Sequence, residues 1–283
     1  MNKYKILTLI SLSGLCVVLV SCDNIDENDR YESTEKPVLP PHSVPKTLLI
    51  QEFTGNMCTN CPQGAKAIHD IQEEFPGQVI AIGIHPEGGG PNTMPIGDQD
   101  FRCEEAQVIY EFFKPSGFPC AVFNGETTST RFNMWYSIAA EMLAQEANMT
   151  IDAQSVYDST TRNLQIDYTI TATSDISTDL NVLVLLMENN ILGYQLDGGK
   201  LLDNYIHNHV LRASLNGGWG TSLPSSIKNG QVIEGSASMI LDDKWVAENC
   251  QVVVYTFQSA TRIVEQATEI DVIQEPNEDD NME

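Results

Sequence analysis

Apolar residues change their rhythm three times along this chain. After Lys3 and Lys5, a charge-free run over residues 6–20 ends at Ser21. It is shorter than the ~20 apolar residues that cross a bilayer, and the pattern is that of a secretory leader, residues 1–21, excluded from the fold. Residues 22–46 combine acids and prolines with few apolar groups, the composition of a solvated, extended tether. From Thr47 onward, strand-like and helix-like stretches alternate. Residues 47–53 read as a strand. Ala65, Ile68, Ile71 and Phe75 then recur at helical spacing behind Pro62, which suits a first helical turn, and Pro76-Gly77 ends the element. Residues 78–84 are continuously apolar, as a strand covered on both faces is. A Gly- and Pro-rich stretch, 86–100, leads to a helix with Val108, Ile109, Phe112 and Phe113 on one stripe. Residues 115–125 give a loop, a short strand and an Asn124-Gly125 turn that predicts a hairpin. Asn133 is a candidate cap for a helix with Trp135, Ile138, Ala139, Met142 and Leu143 on one face.

Near Asn148 the pattern turns to strands. Leu164, Ile166, Tyr168, Ile170 and Ala172 alternate with polar residues, a half-buried strand. Further strands are expected at 151–157, 180–187, 205–212, 231–241, 250–257 and 262–272. The boundaries expected are therefore an α/β domain at 47–148, an all-β sandwich at 149–274 and an acidic tail at 275–283. Seven strands over that length suit an immunoglobulin-like sandwich, a fold that binds or spaces more often than it catalyses. Charge narrows the partners. The leader holds two of the 15 Lys and Arg and none of the 39 Asp and Glu, so its removal takes the formal charge from −24 to −26. Nucleic acid is excluded as a partner, because phosphate binding needs a basic face.

Candidate chemistry centres on Met57-Cys-Thr-Asn-Cys-Pro-Gln-Gly64. Two cysteines two residues apart can be a redox pair, half of a zinc site or a structural staple. Export favours disulfides, which persist in oxidising compartments. A zinc site has four ligands, usually from two such pairs. Cys103, Cys120 and Cys250 are isolated, and only His85 offers a further ligand, so no metal and no cofactor are assigned. A sulfur at a helix start lies at the positive end of the helix dipole, which favours the thiolate. Cys58 is then the attacking thiolate, and Cys61, one turn further in and less exposed, resolves the mixed disulfide. Cys103 and Cys120 are spaced so that they can bridge, but Cys120 reads better as a buried thiol. His207 and His209 are expected on one strand face, where two histidines without further ligands read as a polar face rather than a metal pair. Gly217-Gly-Trp-Gly220 reads as a loop anchored by its Trp.

The order β-α-β-α-β-β-α, with the cysteine pair between first strand and first helix, resembles the thioredoxin fold. Glu52, six residues before Cys58, stands where that family keeps a buried carboxylate, and Phe118-Pro119 looks like its cis-proline loop. The resemblance implies that Pro119 packs beside the cysteines, that Phe118 lines a substrate groove and that Glu52 accepts the proton of Cys61; the alternative for Glu52 is a carboxylate at the solvent edge of a strand. Thr59-Asn60 and the lack of a Trp before Cys58 depart from the usual reductase pattern. Leu19-Val-Ser-Cys22 resembles the bacterial lipobox, implying lipidation of Cys22 and anchoring in a membrane. Over nearly the whole exported chain, the arrangement is similar to a family of Gram-negative outer-membrane lipoproteins named for a twenty-eight-kilodalton member. The matching residues are Glu52 to Gly55, Cys58, Cys61, Pro62 and His207 to Arg212. The expectation is thiol–disulfide exchange with exported protein thiols, disulfides or a redox partner. The alternative is surface binding or adhesion on an inert scaffold.

Overall fold

The structure is a computed structural model and describes residues 44–274. The leader, Cys22, most of the tether and the acidic tail lie outside the described residues. In chain order the first half forms β1 (Val44–Pro45), β2 (Leu48–Phe53), α1 (Cys61–Glu74), β3 (Val79–Ile84), α2 (Glu104–Phe113), β4 (Cys120–Phe123), β5 (Thr127–Ser129), α3 (Trp135–Leu143) and β6 (Glu146–Ala147). The second half forms β7 (Met149–Asp158), β8 (Asn163–Ala172), β9 (Leu180–Glu188), β10 (Ile191–Asp197), β11 (Lys200–His207), β12 (Val210–Ser214), β13 (Thr221–Ser222), β14 (Val232–Ile240), β15 (Cys250–Gln258) and β16 (Val264–Asp271). The fold is β-rich.

The change of sequence pattern near Asn148 is not a change of sheet. A nine-stranded sheet runs β16-β15-β9-β12-β3-β2-β4-β5, with β13 beside β9, so strands of both halves share one ladder. The junction is β12 against β3, parallel, with Val210 opposite Gly83. All described residues belong to one compact unit. On the sheet's first-half end, α1 and α3 pack Ile68, Ile71, Trp135 and Ala139 against Leu48, Ile50, Ala81 and Phe123. On its second-half end, a three-stranded sheet, β14-β8-β7, closes a sandwich over Val182, Val184, Leu186, Val252 and Val254. The opposite face carries Leu49, Ile82, Leu183, Leu185 and Phe257 under α2. β9 is apolar at consecutive positions because both of its faces are covered.

Three local expectations change. Residues 205–212 are not one strand: β11 ends at His207, His209 takes φ 57°, and β12 begins at Val210. The turn is fixed by polar contacts. The His209 carbonyl accepts the Gly83 N–H at 2.7 Å, and the His209 N–H donates to Asn189 Oδ1 at 2.6 Å. His207 and His209 therefore do not share a strand face. Phe112 does not join the buried stripe of α2; it is exposed and stands edge-on to Trp219 at 5.7 Å, so the buried residues there are Ala106 and Ile109. Asn133 lies inside a 3-10 turn, Phe132–Met134, and α3 starts from Met134 with no side-chain cap.

Candidate functional site at the Cys58–Cys61 disulfide

β2 delivers its chain straight into the cysteine loop. Phe53 is wholly buried beneath α2, and Thr54 donates its N–H to the Ile84 carbonyl at 3.0 Å, so the loop leaves from a fixed strand end. The Cys58 N–H donates to the Gly55 carbonyl at 3.0 Å, and the Cys61 N–H to the Cys58 carbonyl at 3.3 Å, closing two tight turns. α1 starts at Cys61, with Pro62 in its first turn and Asn60 at the capping position. Cys58 therefore precedes the helix rather than capping it. Its sulfur still reaches the helix start through the Cys58–Cys61 disulfide, whose Cα atoms are 5.4 Å apart. Both residues are 2% exposed, so the expected difference in exposure between them is absent.

Glu52 is held in mid-strand, opposite Gly83 of β3 and Ala121 of β4. It is 6% exposed rather than at a solvent edge, and its Oε1 has no hydrogen-bond partner. Burial pushes its pKa up to about 8, so the carboxyl holds its proton at neutral pH. The Phe118–Pro119 bond is cis. Gly64, one turn into α1, shows how these parts meet. A Cβ there would lie 2.6 Å from Glu52 Oε1 and 2.9 Å from Pro119 Cβ. The first turn of α1, the buried acid and the cis-proline loop thus close on one point. Phe118 packs at 6.4 Å from the Tyr110 ring.

Gly64→Ala is accordingly expected to destabilise the protein by about 1–3 kcal/mol, the usual range for overpacking. That loss outweighs the ~1 kcal/mol that alanine gains over glycine inside a helix. Urea unfolding of the variant measures it; a variant as stable as the parent would show that the contact at Gly64 is loose.

The other candidates lie apart from this cluster. His85 stands edge-on to Phe101 at 5.2 Å, and Phe101 to His207 at 4.7 Å. Burial, with the neighbouring His207, holds the His85 pKa down to about 3, and burial holds His207 down to about 4. Both are neutral ring packers at the root of β11. Cys103, Cys120 and Cys250 are free thiols, each raised above the usual thiol range by burial. Trp219 anchors its loop, with the Arg262 guanidinium 4.1 Å from its ring centroid.

Residues that the sequence reading passed over hold the backbone of the cysteine loop. β10 and β11 form a two-stranded hairpin that pairs with no other strand among the described residues. Gln195 Nε2 donates to the carbonyls of Cys58 at 3.1 Å and Gly55 at 3.3 Å. The Leu196 N–H donates to the Asn56 carbonyl at 2.7 Å, and the Gly198 N–H to the Thr59 carbonyl at 3.2 Å. A signal was present in Asp197-Gly198-Gly199-Lys200, because Asp-Gly and Gly-Gly supply the positive φ that a two-residue hairpin turn needs.

Comparisons with known proteins follow this architecture. HBP35 of Porphyromonas gingivalis is similar in fold, with TM-score 0.62 and 16% identity over 81% of this chain and 76% of that one. A protein from Agrobacterium tumefaciens aligns with TM-score 0.49 and 14% identity, covering 84% of this chain and 99% of that one. A domain of the outer membrane lipoprotein Omp28 from Porphyromonas gingivalis aligns with TM-score 0.34 and 18% identity, covering 44% and 88%. No curated protein matches the sequence. The family model of Outer membrane protein Omp28 matches residues 106–275, a span that holds His207 to Arg212 and begins after the cysteine pair. With that match over more than half of its length, the chain belongs to the Omp28 outer membrane protein family and is a protein of the outer membrane.

Proposed function

We propose that this outer-membrane protein is anchored by a lipid on Cys22 and exchanges disulfides with exported proteins through a thioredoxin-like first half. The observation that carries the reading is the convergence of the Cys58–Cys61 disulfide, buried Glu52 and Pro119 on the first turn of α1. In the oxidised state, one thiolate of an exported protein dithiol attacks the Cys58 sulfur. The Cys58–Cys61 bond breaks, and Cys61 leaves as a thiolate. Glu52, protonated at neutral pH, gives Cys61 its proton. The partner's second thiol then loses its proton and attacks the partner's own sulfur in the mixed disulfide, expelling Cys58 as a thiolate. Two electrons pass to this protein, and the partner gains a disulfide. Phe118 lines the groove in which the partner lies.

A second reading draws on the burial of both sulfurs: the disulfide is a staple, and the protein binds at the cell surface. Two measurements on the exported chain without its lipid separate them. Exchange predicts a Cys58–Cys61 reduction potential above about −300 mV, the level below which structural disulfides sit. It also predicts insulin reduction in the presence of a thiol reductant, lost in Cys58→Ser. A lower potential with no turnover would leave the staple.

A further inference from the structure

We propose that the β10–β11 hairpin is a movable strap over the disulfide: it swings off the Asn56–Thr59 loop to let a partner thiolate reach Cys58, and it closes the site in the conformation described. The inference deepens the exchange reading and takes its purpose from it. Three features carry it.

First, what seals the cysteine loop on the hairpin side is polar. Gln195, Leu196 and Gly198 hold the loop by hydrogen bonds, which can be exchanged for water. Leu192, Tyr194, Leu201 and Ile206 of the same hairpin are exposed, so little apolar surface ties it down. An isolated two-stranded hairpin is marginal in water, and segments with few buried apolar contacts open first.

Second, the hairpin has a fixed root and an irregular hinge. His207 stands edge-on to Phe101 at 4.7 Å and to Tyr205 at 4.8 Å, and its Nε2 meets the Tyr194 carbonyl at 3.1 Å. Gln99 holds Tyr194 from the other side, accepting its N–H at 2.6 Å and donating to its carbonyl at 2.8 Å. The pairing register slips between Gly193 and Gln195, immediately beside this anchor. A bulge there gives the outer hairpin a place to bend while the root stays packed.

Third, the same element guards the acid. Tyr205 and Ile206 line a cavity of about 100 Å³ that has Glu52 in its wall and His69 and Gln72 of α1 opposite. Tyr205 and Ile206 pair with Gly193 and Leu192 on the root side of the slip, so movement of the outer hairpin, 195–202, uncovers the cysteine loop while the root keeps Glu52 covered.

The test uses the exported chain, dithiothreitol as the probe, and alkylation with mass spectrometry to follow reduction of Cys58–Cys61. Two variants are compared with the parent: Gln195→Ala, which keeps root and turn, and a chain with residues 195–202 replaced by Asn-Gly. The expected result is reduction about threefold faster in Gln195→Ala and at least tenfold faster in the shortened chain. Parental rates in both variants, with the native circular dichroism spectrum retained, overturn the strap. If the shortened chain does not fold, Gln195→Ala decides alone: a faster rate supports the strap and an unchanged one overturns it. Insulin turnover on the same chains keeps the two ideas apart. Faster reduction without turnover in any chain upholds the strap and removes the exchange function; turnover with unchanged reduction rates does the reverse.

Discussion

Arg212→Ala is expected to lower stability by about 3–5 kcal/mol, the range for breaking a buried ion pair by removing one partner. Arg212 Nε and Nη2 each meet Glu188 Oε2 at 2.8 Å, and the two side chains are 13% and 4% exposed. The other Glu188 oxygen accepts the Val246 N–H at 2.9 Å. Without the guanidinium, a buried carboxylate keeps one donor and no counter-charge. The contact of Arg212 with the Phe101 ring, 5.3 Å to its centroid, goes as well. The loss belongs mainly to the stranded charge, so Arg212→Met with Glu188→Leu should cost far less than the single change. Urea unfolding of both variants measures this; a single variant within about 1 kcal/mol of the parent would place the pair effectively in water.

The second large effect is a dependence of stability on pH that Glu52 imposes. Its folded pKa is about 8, against 4.5 for the free side chain. Below pH 4.5 both folded and unfolded chains hold the proton, and the acid costs nothing. As pH rises from 4.5 to 8, the unfolded chain loses the proton while the folded one keeps it. Stability then falls, by about 1.4 kcal/mol per pH unit and to a total of about 4–5 kcal/mol. Glu52→Gln should remove that slope, so its stability relative to the parent rises steadily from pH 5 to pH 8. The buried histidines act with the opposite sign. His85, His207 and His209 are held down to about 3, 4 and 4, so their effect is present above pH 6.5 and stability is lost as pH falls below it. Between pH 7 and 8 they are nearly silent, and Glu269, raised by burial to about 7, has finished its own fall of the same sign, so the Glu52 slope is read there as the difference between parent and variant. Parallel curves for parent and variant over that window would mean that Glu52 is ionised in the folded protein.

How much of this the sequence carried depends on whether the cause was local. The strand 163–172 was legible because its outer face meets water and its inner face does not, so alternation survives in the letters. The Asn124-Gly125 turn was legible because both residues take positive φ, 46° and 70°, which few other pairs tolerate. Residues 205–212 misled because strand formers flank His207-Asn208-His209 on both sides, and the bend at His209 is fixed by Asn189 and Gly83, which are distant in sequence. Phe112 misled because helical spacing does not tell which partner covers a stripe. At the site, Cys58 and Cys61 were nameable from motif and spacing, and Glu52, Phe118 and Pro119 from the resemblance to the thioredoxin fold. The hold on the cysteine loop was not, because Gln195 reaches the Cys58 carbonyl from 137 residues away. Its Asp-Gly-Gly-Lys turn announced a hairpin, yet nothing local stated where that hairpin docks.

The junction of β12 with β3 has a consequence for grafting. Cutting the chain near residue 148 would strip the apolar flank of β3 and leave its Gly83 amide without the His209 carbonyl. Each portion alone would present that strand edge to water, so grafts that exchange one portion between relatives must carry matching residues along the seam.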